Sequence, residues 1–174
     1  MNWLGKKSQK YVKRNDIVLD LGCGIMQATT NYSGWGNLKC KAVLGVDLFD
    51  RYLQEIYTKY PTVKTNVLNT KLFIDNSYDV VLCLDVLEHL ELEQADHLLK
   101  EMKRIARRNV VIYTPYEFKS NEEHVNNVWG MGENKLQSHK CLVTKGLLAK
   151  HHYRAEHVGA DNNLFAVWSS EEWV

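Results

Sequence analysis

Two glycines and two carboxylates stand at the spacing a nucleoside-binding crevice requires. Gly22 and Gly24 flank Cys23 directly after an apolar run over 17–21, and Asp47 closes a second apolar run over 42–46. Glycine lets a chain leave a strand sharply and lets a ligand approach the backbone closely. An acid at the end of the next strand can accept both hydroxyls of a ribose. Asp20, just before the turn, would repel a pyrophosphate and suits a cationic ligand. Met26 stands where nucleotide-binding turns of this kind usually offer a third glycine, so the approach of a pyrophosphate to the helix start is crowded. That loss matters little to a ligand without phosphate. The pattern describes a nucleoside bearing a positive charge. Each residue alone also has an ordinary explanation, as a turn glycine or as a carboxylate capping a helix.

A second group lies further along. Asp85, Glu88 and His89 fall at i, i+3 and i+4, which on a helix is one face. Two carboxylates and an imidazole could hold a divalent cation that lowers the pKa of a hydroxyl. A helix N-terminus attracts acids without any metal, so the preferred reading carries none and the trio is the alternative. Without a metal, His89 is a candidate general base, with Glu88 as its companion. His124, Trp129 and His139 lie in a long polar stretch over 115–142, expected to be a loop that covers the substrate.

The elements that must position these groups are legible as short apolar runs. Strands are expected over 17–21, 42–46, 62–67, 78–84 and 110–113. A helical periodicity runs over 85–107, with shorter helices over 26–34 and 51–59 and an amphipathic lead-in over 1–15. Thr144 is placed to cap a helix through Lys150, and the tail reads as an antiparallel hairpin, 153–158 against 164–168. Short apolar strands alternating with helices predict a parallel sheet covered on both faces. One domain over 1–174 is expected.

A phosphate-free, positively charged nucleoside points to S-adenosylmethionine. Four segments, VLDLGCG (18–24), GVDLF (45–49), DNSYDVVLCLDVLEHL (75–90) and NVVIYTP (109–115), in this order and spacing, resemble the class I S-adenosylmethionine-dependent methyltransferases. The resemblance implies a Rossmann-like α/β fold with a seven-stranded, mostly parallel sheet in order 3-2-1-4-5-7-6, strand 7 antiparallel. It also implies that the methionine part of the cofactor lies near Asp20, Gly22 and Gly24, with the ribose on Asp47 and Leu48 beside the adenine. Asn66 and Val67 take the place of an acid that commonly bonds the adenine amine, and Leu84 packs near the cofactor through its backbone. The DVLEH stretch is similar to the corresponding segment of ubiquinone-pathway O-methyltransferases, in which such a trio is associated with a metal.

Composition narrows the rest. The chain has 174 residues, 45% hydrophobic and 25% charged, with net charge +1, so no global field attracts polyanions. There is no apolar run of about 18 residues and no membrane span is expected. The four cysteines, far apart, match no zinc ladder, and a cytoplasmic location is expected. The segment after the fourth strand lacks the proline-rich turn of nucleic-acid amino-methyltransferases, and Cys83 lies inside a strand rather than exposed as a nucleophile. The expected function is methyl transfer to oxygen or nitrogen of a small-molecule acceptor, by a chain that could form a homodimer or act with a protein partner. The alternatives are RNA modification, drawing on one basic patch of Lys103, Arg104, Arg107 and Arg108 and another of Lys6, Lys7, Lys10, Lys13 and Arg14, and a non-catalytic partner subunit of the same fold.

Overall fold

All five apolar runs form strands, and those strands pair in parallel. The computed structural model describes residues 3–26, 29, 38–118, 120–121, 125–126, 131–159 and 163–172. Strands β1 (Ile17–Leu21), β2 (Ala42–Asp47), β3 (Thr62–Lys64), β4 (Tyr78–Leu84) and β5 (Ala106–Thr114) are followed by β6 (Arg154–Val158) and β7 (Asn163–Ser169). They make one sheet in the order β3-β2-β1-β4-β5-β7-β6, in which β7 runs antiparallel to both neighbours. Strand order reverses beside β1, so the carboxyl ends of β1, β2 and β4 open a crevice between them. Fold and strand order are those the sequence predicts.

Burial on both faces explains the unbroken apolar runs. On one face Leu19, Leu21, Val81 and Cys83 pack against Ala95, Leu98, Leu99, Met102 and Ile105 of helix α3 (Leu92–Ile105). Helix α4 (Lys145–Lys150) joins this face through Leu148. On the other face Val18, Val80, Leu82 and Val111 meet Phe165, Val12 and Leu38. The lead-in is a short helix, α1 (Trp3–Ser8), and a 3-10 turn, Gln9–Tyr11. Lys7 of α1 lies 4.9 Å from the ring centroid of Phe165 and 2.7 Å from Glu156.

The expected helix over 85–107 is shorter at both ends. Asp85 takes a left-handed backbone conformation with φ +56°, and Leu87–His89 is a 3-10 turn. Helix α3 begins only after Glu91, whose side chain forms a capping box with Gln94. It ends at Ile105 because the next residue already belongs to β5. The apolar residues at 86, 87 and 90 are core residues of the turn, which mimic helical spacing. Helix α2 (Asp50–Ile56) and β3 are likewise shorter than expected. Thr144 caps α4 as predicted, accepting from the Leu147 amide at 3.1 Å. The helix expected over 26–34 lies largely outside the described residues.

The basic cluster has structural partners. Arg104 bonds Asp75 and Glu101, Arg107 bonds Asp79, Arg108 bonds the buried Asp16, and Lys103 donates to the His151 carbonyl. Those four cations tie the end of α3 and the start of β5 to the rest of the sheet.

Gly22 is fixed by packing as well as by conformation. Its φ is +69°, and a Cβ there would lie 2.3 Å from Val86 Cγ2. Gly159 also has positive φ, +73°, but open space around it. Gly159→Ala is therefore expected to cost about 1 kcal/mol, the left-handed backbone penalty. Gly22→Ala is expected to cost about 3 kcal/mol or more, because overpacking adds to that penalty. Urea midpoints for the two variants measure the difference directly.

Candidate active site

The glycine turn is tied to the end of β2 by three backbone amides. Gly22 and Cys23 both donate to the Val46 carbonyl, at 2.8 and 3.0 Å. Gly24 donates to Asp47 Oδ2 at 2.9 Å, and Phe49 donates to Oδ1 at 2.8 Å. Each carboxylate oxygen can still accept a further hydrogen bond, so Asp47 is oriented but not saturated. Burial raises its pKa, and the amides of Phe49, Gly24 and Leu48 offset part of that rise.

Asp20, at the end of β1, is 3% exposed and accepts from Thr29 Oγ1 at 2.9 Å. Burial pushes its carboxyl up to about 7; the Thr29 hydroxyl pulls it down and the charge of Asp47 raises it. A carboxyl so placed gains from a nearby cation, which would restore its charged form.

Met26 has a left-handed backbone, with φ +55°, yet its side chain is fully buried. It packs with Cys23, Ile25, Tyr52, Leu53 and Ile56. The expected crowding therefore does not come from a projecting side chain. Room for the packing comes from Gly45 of β2, where a Cβ would lie 2.8 Å from Cys23 Sγ and 3.2 Å from Met26 Sδ.

The remaining cofactor candidates lie at neighbouring strand ends. Leu48 is 40% exposed beside Asp47. After β3, the Thr65 amide bonds the Asp47 carbonyl at 3.0 Å, and Asn66 Oδ1 accepts from the Leu68 amide at 2.9 Å. Val67 and Leu84 are half-buried, packed against opposite faces of the sheet.

The β4 exit departs from expectation. The Asp85 amide donates to the Tyr113 carbonyl at 2.8 Å, and its side chain is exposed at the rim. Glu88 is 3% exposed; its Oε2 accepts from Thr114 Oγ1 at 3.1 Å, while Oε1 is buried with no hydrogen-bond partner among the described residues. Burial first, then the Asp85 charge, raises the Glu88 carboxyl well above its ordinary range, and its proton can be shared with Asp85. His89 Nδ1 lies 3.3 Å from the Ser138 carbonyl, and burial, with His139 nearby, lowers the ring's pKa to about 4. Because a carbonyl only accepts, Nδ1 carries the proton and Nε2 holds the lone pair.

Asp85, Glu88 and His89 thus do not share a helix face. The ligating atoms that converge, all within 4.8 Å of one another, belong to Glu88, His89 and His139. His139, expected over the acceptor, has its ring centroid 5.1 Å from that of His89. His124 and Trp129 lie outside the described residues. Beyond β5, an open groove of about 520 Å³ is lined by Tyr116, Glu117, Phe118, Leu142 and Lys145 among others. Sequence reasoning did not single out Thr29 and Thr114. Each is a hydroxyl that matters only because the fold buries a carboxyl beside it.

A family model described as a methyltransferase domain matches residues 19–114. A curated relative, the ubiquinone biosynthesis O-methyltransferase of Rickettsia bellii, is 31% identical over 121 residues, 64% of this chain and 48% of the relative. The chain spans about half the length of that relative. Among solved structures, a SAM-dependent methyltransferase from Archaeoglobus fulgidus has TM-score 0.69 at 18% identity, covering 95% of this chain and 90% of the other. The Burkholderia thailandensis 1,6-didemethyltoxoflavin-N1-methyltransferase, solved with bound 1,6-didemethyltoxoflavin and S-adenosylhomocysteine, has TM-score 0.63 at 16% identity, covering 97% of this chain and 78% of the other. Both likenesses concern the fold.

The two acids at the β1 and β2 ends are expected to titrate as neighbours. Thr29→Val removes a hydrogen bond to the carboxylate, so the Asp20 midpoint should rise above about 7; Asp47→Asn removes a negative charge, so it should fall. Carboxyl carbon chemical shifts followed through a pH titration read both directions.

Proposed function

The chain belongs to the methyltransferase domain family, and from that premise we propose that it transfers the methyl group of S-adenosylmethionine to oxygen or nitrogen of a small-molecule acceptor. The observation that carries this reading is the pairing of Gly24 with Asp47 beside the buried Asp20. An oriented acid and a carboxyl that gains from a cation fit a ribose and a charged methionine portion, and no phosphate is needed to fill the crevice. In this assignment Asp47 accepts the ribose hydroxyls, Asp20, Gly22 and Gly24 face the methionine portion, and Leu48 covers the adenine. Asn66 and Val67 lie toward the adenine amine, and Leu84 lines the site through its backbone.

When bound, the cofactor supplies an activated methyl group on a good leaving group. The protein's work is then to align the acceptor in line with that group and to take up its proton. Glu88 is enclosed, and burial raises its carboxyl above the ordinary range, so it positions the β4 exit rather than touching the acceptor. His89, whose ring burial favours the neutral form, is the candidate proton acceptor. The groove beside Tyr116 and Phe118 is assigned to the acceptor, and Lys140 and Cys141 return to the β4 exit through their amides. The names of the compared proteins, an O-methyltransferase and a toxoflavin-pathway N-methyltransferase, agree with a small acceptor. The ion pairing of Arg104, Arg107 and Arg108 weakens one of the two basic patches behind the RNA alternative, since those charges serve the fold. Action in the cytoplasm as a single domain is part of the proposal. Among the described residues no helix is long and apolar enough to cross a membrane.

Asp47→Ala is expected to weaken S-adenosylmethionine binding by about 1.5–3 kcal/mol, roughly tenfold to hundredfold, the scale of a charge-assisted hydrogen bond. Calorimetric titration of the variant checks this, and unchanged affinity would contradict the ribose assignment. Release of S-adenosylhomocysteine on addition of phenolic or amine metabolites tests the activity. A protein that fails to bind S-adenosylmethionine would instead be the non-catalytic subunit.

A further inference from the structure

We propose that Glu88, His89 and His139 form a binding site for one divalent transition-metal ion of the zinc type, with the third ligand supplied by the segment that returns from β5 to α4. The proposal stands on donor geometry and does not rest on the methyl-transfer reading.

Three features converge on it. The ligating atoms of these residues lie within 4.8 Å of one another, close enough for one ion to gather them. Glu88 Oε1 is buried and accepts no hydrogen bond from a donor among the described residues, while the neighbouring Asp85 carboxyl adds like charge, a costly arrangement that a cation would relieve. The other Glu88 oxygen accepts from Thr114, which orients the carboxylate and leaves Oε1 as the donor. His89 is set in the tautomer a metal requires: Nδ1 faces a backbone carbonyl, the usual outer support of a ligating imidazole, and Nε2 keeps its lone pair.

The return segment is held to the β4 exit by its own backbone. The amides of Lys140 and Cys141 both donate to the Glu88 carbonyl, at 2.7 and 3.2 Å. The Ser138 carbonyl faces His89, and the His139 amide donates to Asn121 Oδ1 at 2.9 Å. His139 therefore sits beside Glu88 and His89 because residues on either side of it are bonded there. Two imidazoles and one carboxylate are a ligand set for zinc and its neighbours, leaving a position open to water or an acceptor atom. Asp85, which the sequence spacing would include, is left out of this set. Since the Nε2 lone pair serves one partner at a time, a bound ion would take His89 out of proton transfer.

The test is titration of the purified full chain with zinc chloride by calorimetry, and with cobalt chloride followed by visible absorption. The expected result is saturable binding of one ion per chain with a cobalt d–d band. His139→Ala should weaken zinc binding at least about tenfold, Asp85→Asn should retain it, and His139→Cys should restore it with a thiolate-to-cobalt band. Absence of saturable binding by the unmodified chain would overturn the proposal. So would wild-type affinity in His139→Ala, or loss of the ion in Asp85→Asn. S-adenosylmethionine affinity, measured on the same samples, separates failure of this site from failure of the cofactor reading.

Discussion

The site depends on one hydrogen bond, from the Gly24 amide to the Asp47 carboxylate across the ends of β1 and β2. It joins the turn that must stay open to the acid that must stay aimed. Two further amides, from Gly22 and Cys23, hold the same two segments, and the Phe49 amide holds the other oxygen of the acid. A carboxylate oriented by backbone donors loses little entropy when it accepts a ligand, because its rotamer is already set. Asp20 lies close enough for its charge to be felt, and burial makes its ionised form costly. Among the described residues, the crevice is thus built around negative charge that no basic side chain is seen to neutralise.

Close packing keeps that arrangement in place. Val86, from the β4 exit, occupies the space a side chain on Gly22 would need. Met26 and Cys23 occupy the space a side chain on Gly45 would need. Gly22, which looks like a ligand-approach residue, is therefore also, like Gly45, a place where one strand end closes on another. The β4 exit carries the backbone cost of a left-handed Asp85, held by the bond from its amide to Tyr113. Beyond Asp85 the chain presents a buried carboxyl and an imidazole in a tight turn rather than the start of a helix.

Much of this is legible in the residues. Each strand announces itself as an apolar run because both faces of the sheet are covered, and the crevice residues derive from their places at strand ends. The periodicity over 85–107 overextends the helix because Val86, Leu87 and Leu90 repeat at helical spacing while serving a 3-10 turn. Periodicity reports which residues are buried; a positive φ at Asp85 leaves no mark in it. Thr29 and Thr114 carry no signal of their own, since a threonine becomes a carboxyl's partner only through contacts made at a distance. His139 stands out by type, but its neighbours Glu88 and His89 are about 50 positions away and meet it only through the fold.

The most direct test of the central claim is the pH dependence of S-adenosylmethionine affinity between about pH 8 and about pH 5.5. In the free protein Asp20 takes up a proton below about 7, and a cationic ligand favours the unprotonated form. Affinity should therefore be steady above that point and weaken below it by up to about tenfold per pH unit, with the trend lost in Asp20→Asn. A flat profile in the unmodified protein, or one unchanged by Asp20→Asn, would contradict the account.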